Sequence, residues 1–288
     1  MSKTWNFKKE LCGCFGKPIA ENPTQHMIEA AFRHHGLDWR YIQFEVGPDD
    51  LGDAIKGFRS MGFVGGNCTI PHKVAVIEHL DRLGTSAELM GAVNCIVRDG
   101  DALVGENTDG VGFVSSVQEL RDPAGQHAVI IGAGGAARAI AVELALAGTT
   151  RITIVNRTPE RGQALVDLLN DKKLTRAEFV AWSGDYQIPA EANIVVNATS
   201  IGLFPDLDAR IALDIETLQP EMLVADVIPN PPNTRFVQDA RARGCTVIDG
   251  LAMLVAQGVV GFKYWTNVDA DPAVMRRSLE EVFGESDA

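Results

Sequence analysis

The chain has 288 residues, 46 % hydrophobic and 22 % charged, the composition of an ordinary globular protein with room for two domains. A formal net charge of −12 argues against nucleic acid or an anionic membrane as the main partner, because both call for a basic surface. No run approaches the ~18 consecutive apolar residues of a membrane span, and Met1-Ser2-Lys3-Thr4-Trp5 lacks the apolar core of a secretion signal.

Five cysteines (Cys12, Cys14, Cys68, Cys95, Cys245) are odd in number and lack CxxC spacing. They read as reduced thiols of a cytoplasmic protein, not as a disulfide frame or a zinc site. The six histidines include no HExxH pair, and His34 and His35 read as cations closing a helix ahead of Gly36. No metal is expected.

Residues 11 to about 108 alternate between strand and helix patterns. Leu11–Phe15 is a short strand, Gly16 to Thr24 a loop, and the next helix carries Met27, Ile28, Ala31 and Phe32 on one face. Trp39–Val46 is a strand, and Asp49 is placed to cap a helix with Leu51, Ile55 and Phe58. Phe63–Thr69 is a further strand, followed by Ile70-Pro71-His72-Lys73, where Pro71 suits the first turn of a helix. Asp99-Gly100 between Val93–Arg98 and Ala102–Glu106 signals a hairpin. Together these predict an α/β domain whose sheet is mostly parallel with antiparallel additions. Asn107-Thr108-Asp109-Gly110 then starts a helix to about Leu120, and the polar link Arg121–Gly125 leads onward.

The stretch Val129-Ile130-Ile131-Gly132-Ala133-Gly134-Gly135-Ala136-Ala137-Arg138 organises the middle of the chain. A β-branched run ends in a glycine turn that opens an alanine-rich helix, the unit that accepts a pyrophosphate. Gly132 permits the turn, Gly134 clears backbone approach to the phosphates, and small residues from Gly135 to Ala137 let the helix lie close to the sheet. After a Gly148 stop, a second strand, Arg151–Val155, runs into Asn156-Arg157-Thr158-Pro159-Glu160-Arg161. An NAD site usually places Asp or Glu here for the ribose 2′-hydroxyl. Arg157 and Arg161 can instead grip a 2′-phosphate. Their alternative reading as solvated charges is disfavoured by the dipole of the helix that starts beside them. NADP is therefore the expected cofactor. Strands at 177–180, 193–197, 222–226 and 246–248 bring the number from residue 128 to 248 to about six, as in a doubly wound Rossmann domain. Two tail helices, Leu251–Trp265 and Pro272–Phe283, are expected to return to the first domain.

The reaction must come from residues outside the dinucleotide site. Hydride transfer to a carbonyl needs a proton donor for the alkoxide, and Lys73, Asn94 and Asp109 stand at loop positions that could supply or orient one. Each has an ordinary alternative: Lys73 an exposed helix residue, Asn94 a turn residue, Asp109 an N-cap.

Eight motifs occur in the order found in shikimate dehydrogenases, over residues 11 to 283. They are Gly16-x-Pro18-Ile19-Ala20, Thr69-Ile70-Pro71-His72-Lys73, Gly91-Ala92-Val93-Asn94, Asn107-Thr108-Asp109-Gly110, Gly132 to Ala136, Asn156-Arg157-Thr158, Asn197-Ala198-Thr199-Ser200-Ile201-Gly202, and Asp249-Gly250-x-x-Met253-x-x-x-Gln257. The chain thus resembles that family, and the resemblance implies a two-domain NADP-dependent oxidoreductase interconverting 3-dehydroshikimate and shikimate, a step of aromatic amino acid biosynthesis. It puts Lys73 as acid/base with Asp109 orienting it, and Thr69, Asn94 and Gln257 on substrate hydroxyls. It also implies Gly132, Ala133, Gly134, Gly135, Ala136, Asn156, Arg157, Thr158, Arg161, Thr199 and Met253 as the cofactor contacts. Residues 1–108 with 250–288 would form the substrate domain and 109–249 the NADP domain, in a monomer or homodimer.

Two departures bear on the substrate. Where the family usually carries Ser-x-Ser for the substrate carboxylate, this chain has Asn22-Pro23-Thr24, beside Glu21; the Thr24 hydroxyl and the Asn22 amide can still hold that carboxylate, in a different shape. Where it often has a tyrosine after a late Asp-Val, this chain has Pro229. The hydroxyl lost at Pro229 can change discrimination strongly. Quinate, an aminated analogue, or a non-catalytic NADP sensor therefore stay open beside shikimate. A folate-type dehydrogenase on a similar fold is opposed by the motifs that carry Lys73 and Asp109.

Overall fold

The computed structural model describes residues 7–283. The chain divides into two compact units, one comprising Met1–Thr108 and Gly258–Ala288, the other Asp109–Gln257. The second crossing falls inside a helix, at Gln257, rather than at its start.

The first unit is built on a six-stranded sheet of β1 (Glu10–Gly16), β2 (Trp39–Glu45), β3 (Gly65–Cys68), β4 (Arg82–Leu83), β5 (Cys95–Asp99) and β6 (Ala102–Glu106), in the order β2-β1-β3-β5-β6-β4. The pairs β1–β2, β1–β3 and β4–β6 are parallel, whereas β3–β5 and the hairpin β5–β6 are antiparallel. Its helices in the first stretch of chain are α1 (Thr24–His34), α2 (Leu51–Ser60) and α3 (Thr85–Met90). The apolar face read from the sequence is the buried one: Met27, Ile28, Ala31 and Phe32 in α1, and Leu51, Ile55 and Phe58 in α2.

Three local expectations are corrected. Asp49 does not cap α2. It lies in a 3-10 turn, Pro48–Asp50, and Asp50 holds the N-cap position without a side-chain bond. Pro71 does not open a helix, since residues 70–74 form a turn and the helical segment after it is a 3-10 turn, Ala75–His79. The expected strand 63–69 contracts to Gly65–Cys68, and inside it Gly65 and Gly66 serve close approach. A Cβ on Gly66 would stand 2.2 Å from the Gly13 carbonyl oxygen, and one on Gly65 would meet the Trp265 indole at 2.1 Å. That indole donates to the Ile96 carbonyl at 3.1 Å. The tail from residue 258 is thereby locked onto the first sheet, where α9 (Pro272–Phe283) also packs against α1.

The second unit has six parallel strands: β7 (His127–Ile131), β8 (Arg151–Asn156), β9 (Arg176–Ala181), β10 (Ile194–Asn197), β11 (Leu223–Asp226) and β12 (Thr246–Ile248). Their order is β12-β11-β10-β7-β8-β9, which is the doubly wound Rossmann arrangement reversing at β7. β7, β10 and β11 are buried along their whole length, which is why they read as continuous apolar runs without alternation. The helices are α4 (Thr108–Gln118), α5 (Gly135–Leu146), α6 (Pro159–Asp171), α7 (Arg235–Ala242) and α8 (Gly250–Thr266), whose last part belongs to the first unit. A Cβ on Gly110 would meet the Ala139 carbonyl oxygen at 2.5 Å, so α4 and α5 cross in backbone contact. No helix among the described residues is long and apolar enough to cross a membrane.

Candidate active site

The nucleotide side arises from how β7 ends. The chain turns at Gly132 with φ of +116°, where a side chain would be strained and its Cβ would stand 2.7 Å from the Ala198 carbonyl oxygen. Ala133 continues the loop, and Gly134 is the N-cap of α5. At Gly134 and Gly135 a Cβ would meet no atom within 4 Å. Bare backbone therefore faces open space at the amino end of a helix whose first N–H groups have no partner within it. That fits a pyrophosphate, and Ala136 keeps the first turn of α5 small.

At the end of β8, the Asn156 amide donates to the Thr158 carbonyl at 2.8 Å and shapes the turn into α6. Arg157 and Arg161 are both exposed, and neither is in an ion pair among the described residues. Arg151, on the same strand, by contrast binds Glu178 at 2.7 Å. Arg138, in the first turn of α5, is a further cation without an ion pair, one to which the sequence alone assigns no role.

The carboxyl ends of β10 and β11 carry a buried polar network. The Asp226 carboxylate accepts from Asn197 Nδ2 at 3.0 Å, Thr234 Oγ1 at 2.6 Å and the Ile228 N–H at 3.1 Å. Burial pushes the Asp226 carboxyl above its ordinary range, and those three donors oppose the shift. Asn197 Oδ1 in turn accepts from the Thr199 hydroxyl at 2.7 Å and the Thr199 N–H at 3.1 Å. Thr199 thus belongs to a loop pinned from within the sheet. Sequence reasoning does not reach this network, although polar residues closing two apolar strands are its signal. Met253 lies buried in the first turn of α8, and Gln257, also buried, donates to the Leu254 carbonyl at 2.9 Å.

In the first unit, Lys73 is half-buried in the turn after β3, and its carbonyl accepts from the Val93 N–H at 2.7 Å. It is not an exposed helix residue. Preceding it, His72 is 1 % exposed and its Nε2 lies 2.8 Å from the Val46 carbonyl, which fixes the turn from below. Thr69, half-buried, accepts the His72 N–H at its carbonyl. The thiols of Cys14 and Cys68 both feel the Lys73 charge. Burial nonetheless dominates, pushing Cys14 up to about 12 and Cys68 higher, so both stay neutral near pH 7 and supply Lys73 no counter-charge. Asn94 is 3 % exposed; its Oδ1 accepts the Thr108 N–H at 2.7 Å and its Nδ2 reaches the Thr108 hydroxyl at 3.1 Å. Asp109, the next residue, is the second of α4, inside the helix rather than at its N-cap.

The loop before α1 differs from a serine pair in geometry as well as identity. Asn22 Oδ1 is taken up by the Thr24 N–H at 2.9 Å, and the Asn22 carbonyl accepts from the Gln43 amide at 2.5 Å. Thr24, 6 % exposed, is the first residue of α1. What this turn can offer a ligand is one amide NH2 and one hydroxyl.

Comparison with known proteins accounts for this set of motifs. Residues 14–96 match the model of the shikimate dehydrogenase substrate binding domain, 116–235 that of shikimate / quinate 5-dehydrogenase, and 250–280 that of the shikimate 5′-dehydrogenase C-terminal domain. The chain belongs to the shikimate dehydrogenase family. A family member of Desulforamulus reducens, named shikimate dehydrogenase (NADP(+)), is 41 % identical over 280 residues, 96 % of each chain. A shikimate dehydrogenase solved in complex with NADP+ superposes with a TM-score of 0.89 at 35 % identity, over 97 % of this chain and 98 % of that one. The ligand-free 5-ketofructose reductase of Gluconobacter sp. strain CHM43 superposes with a TM-score of 0.95 at 51 % identity, over 96 % of this chain and 100 % of that one. The family's frame is therefore shared by a protein named for a different ketone.

Proposed function

We propose that the protein is an NADP-dependent dehydrogenase interconverting 3-dehydroshikimate and shikimate. The observation that carries this reading is the match to shikimate dehydrogenases over 96 % of the chain, beside the sequence motifs that hold Lys73 and Asp109. Residues up to 108 and the tail act as the substrate domain, and the Rossmann unit holds the cofactor. The loop Gly132 to Ala136 receives the pyrophosphate, Asn156, Arg157, Thr158 and Arg161 receive the adenosine 2′-phosphate end, and Thr199 and Met253 line the nicotinamide end. The nicotinamide supplies or accepts the hydride. When the ketone is reduced, the Lys73 ammonium gives its proton to the carbonyl oxygen as negative charge develops there, leaving the secondary alcohol and a neutral amine. Asp109 orients that ammonium, while Thr69, Asn94 and Gln257 bind substrate hydroxyls. Asn22 and Thr24 hold the carboxylate as two single donors. The five cysteines are free thiols, which supports a reducing, cytoplasmic setting.

A second reading has an observation of its own. Asn22 Oδ1 is committed to the Thr24 N–H, and Glu21 stands next to it on the exposed side. Such a turn suits neutral hydroxyls better than a carboxylate. The 51 % identical neighbour is named for reduction of 5-ketofructose, a neutral polyhydroxylated ketone. The two readings share cofactor, Lys73 chemistry and fold, and they differ only in the substrate.

The test is a set of initial rates followed at the reduced-nicotinamide band, with shikimate and quinate against NADP and NAD, and 5-ketofructose against NADPH. Fast NADP reduction with shikimate upholds the first reading. A kcat/KM for 5-ketofructose at least ~100-fold above that for the shikimate pair, a difference of about 2.7 kcal/mol, would replace it with the second.

A further inference from the structure

Arg157 does not stand alone on the surface. Its guanidinium carbon lies 5.8 Å from the centroid of the Trp182 ring, over the indole. Trp182 comes 25 residues later, just beyond the end of β9, and two bonds fix it. Its backbone N–H donates to the Asn156 carbonyl at 3.0 Å, and its Nε1 donates to the Ala212 carbonyl at 2.8 Å. The first bond ties Trp182 to the residue preceding Arg157. The second pins the far edge of the ring, and its half-buried body packs on the core cluster that contains Val155 and Val129. The indole therefore cannot turn away, and its face is the surface on which Arg157 rests.

We propose that Trp182 is a positioning residue for the 2′-phosphate of NADP, acting through Arg157. This rests on the NADP reading above. A long, exposed arginine loses considerable side-chain entropy when it closes on an anion. Resting its planar face on an immobile indole restricts that freedom beforehand and leaves the edge N–H groups for a phosphate, the bidentate geometry in which arginine excels. Neither Arg157 nor Arg161 is in an ion pair with a carboxylate among the described residues, so both guanidinium groups are left for the phosphate. Nicotinamide cofactors lacking the 2′-phosphate gain nothing from this arrangement. Trp182 thus acts on the choice between cofactors.

The experiment compares wild type, Trp182→Phe, Trp182→Leu and, as a reference, Arg157→Ala, measuring KM for NADPH and for NADH together with thermal unfolding. Trp182→Leu is expected to raise KM for NADPH about fivefold, the scale of a surface cation–π contact, while KM for NADH stays level. Trp182→Phe, which keeps a ring and loses the bond to Ala212, should fall between wild type and Trp182→Leu. Equal weakening of both cofactors, or a lowered unfolding temperature with the NADPH:NADH ratio intact, would make Trp182 a structural residue only and overturn the proposal. A wild-type protein indifferent to the 2′-phosphate would overturn the NADP reading itself, and the role of Trp182 with it.

Discussion

Lys73→Ala is expected to lower kcat by roughly 10²–10⁴-fold, the range that a positioned general acid contributes. The substitution removes the proton donor from the turn between Thr69 and Val74, whose backbone is held independently by His72 on Val46 and by the Lys73 carbonyl on Val93. The turn should keep its shape, so NADP affinity and unfolding temperature should stay near wild type. Neutral thiols behind the lysine, Cys14 and Cys68, cannot take over the proton, because burial holds both far above the range in which they would ionise at neutral pH. Steady-state rates with saturating NADPH and ketone check this. A variant within tenfold of wild type would remove Lys73 from the chemistry.

Gly250→Ala should be the costliest single methyl group in the second unit. A Cβ there would stand 1.9 Å from the Ile228 carbonyl oxygen and 2.6 Å from the Pro229 nitrogen, both backbone atoms that cannot swing aside. Gly250 opens α8, where Asp249 Oδ1 accepts the Ala252 N–H at 2.9 Å, so the helix is capped at the point where it presses on the chain after β11. Overpacking at such a contact costs about 3 kcal/mol, which corresponds to a drop of roughly 6–12 °C in unfolding temperature for a domain of this size. Gly134→Ala is the matched control: its Cβ would meet nothing within 4 Å, so stability should hold while cofactor affinity falls. Calorimetry on both variants separates a glycine kept for packing from one kept for a ligand. Equal stability of the two would contradict the assignment.

The Rossmann unit is legible in the sequence because its signals are local. A β-branched run, a glycine turn and a small-residue helix sit within ten residues, and six strands emerge in the expected order. β4 escapes sequence reasoning because two residues, Arg82 and Leu83, hold no period to read. The pattern overstates the strand at its flanks, Phe63, Val64 and Thr69, residue types that favour strands, while Gly65 and Gly66 inside it serve close contacts with Gly13 and Trp265. Asp49 and Pro71 carry sound local preferences for helix starts. In both cases a short 3-10 or turn segment takes the place of the first helical turn.

Among the site residues, Lys73 and Asp109 can be singled out by type and motif, yet their ordinary alternatives are dismissed only by structure. Lys73 is in a turn and not on an exposed helix, and Asp109 is inside α4 and not at its cap. Asn94 is bonded to Thr108 on both its amide atoms, a long-range partnership that sequence spacing does not reveal. The same holds for Trp182 beneath Arg157, and for Asp226 between Asn197 and Thr234. Each joins residues from separate strands or loops, and no periodicity records such a pairing.

Whether the bound cofactor reduces 3-dehydroshikimate with Lys73 as the proton donor is decided by a single-turnover experiment. Protein loaded with one equivalent of NADPH is mixed rapidly with excess 3-dehydroshikimate, and loss of the reduced-nicotinamide signal is followed alongside the appearance of shikimate. The expected result is complete oxidation of the bound cofactor, one shikimate formed per NADPH consumed, and the same phase slowed by roughly 10²–10⁴-fold in Lys73→Ala. NADPH that stays bound and reduced at every ketone concentration in the wild-type protein would contradict it.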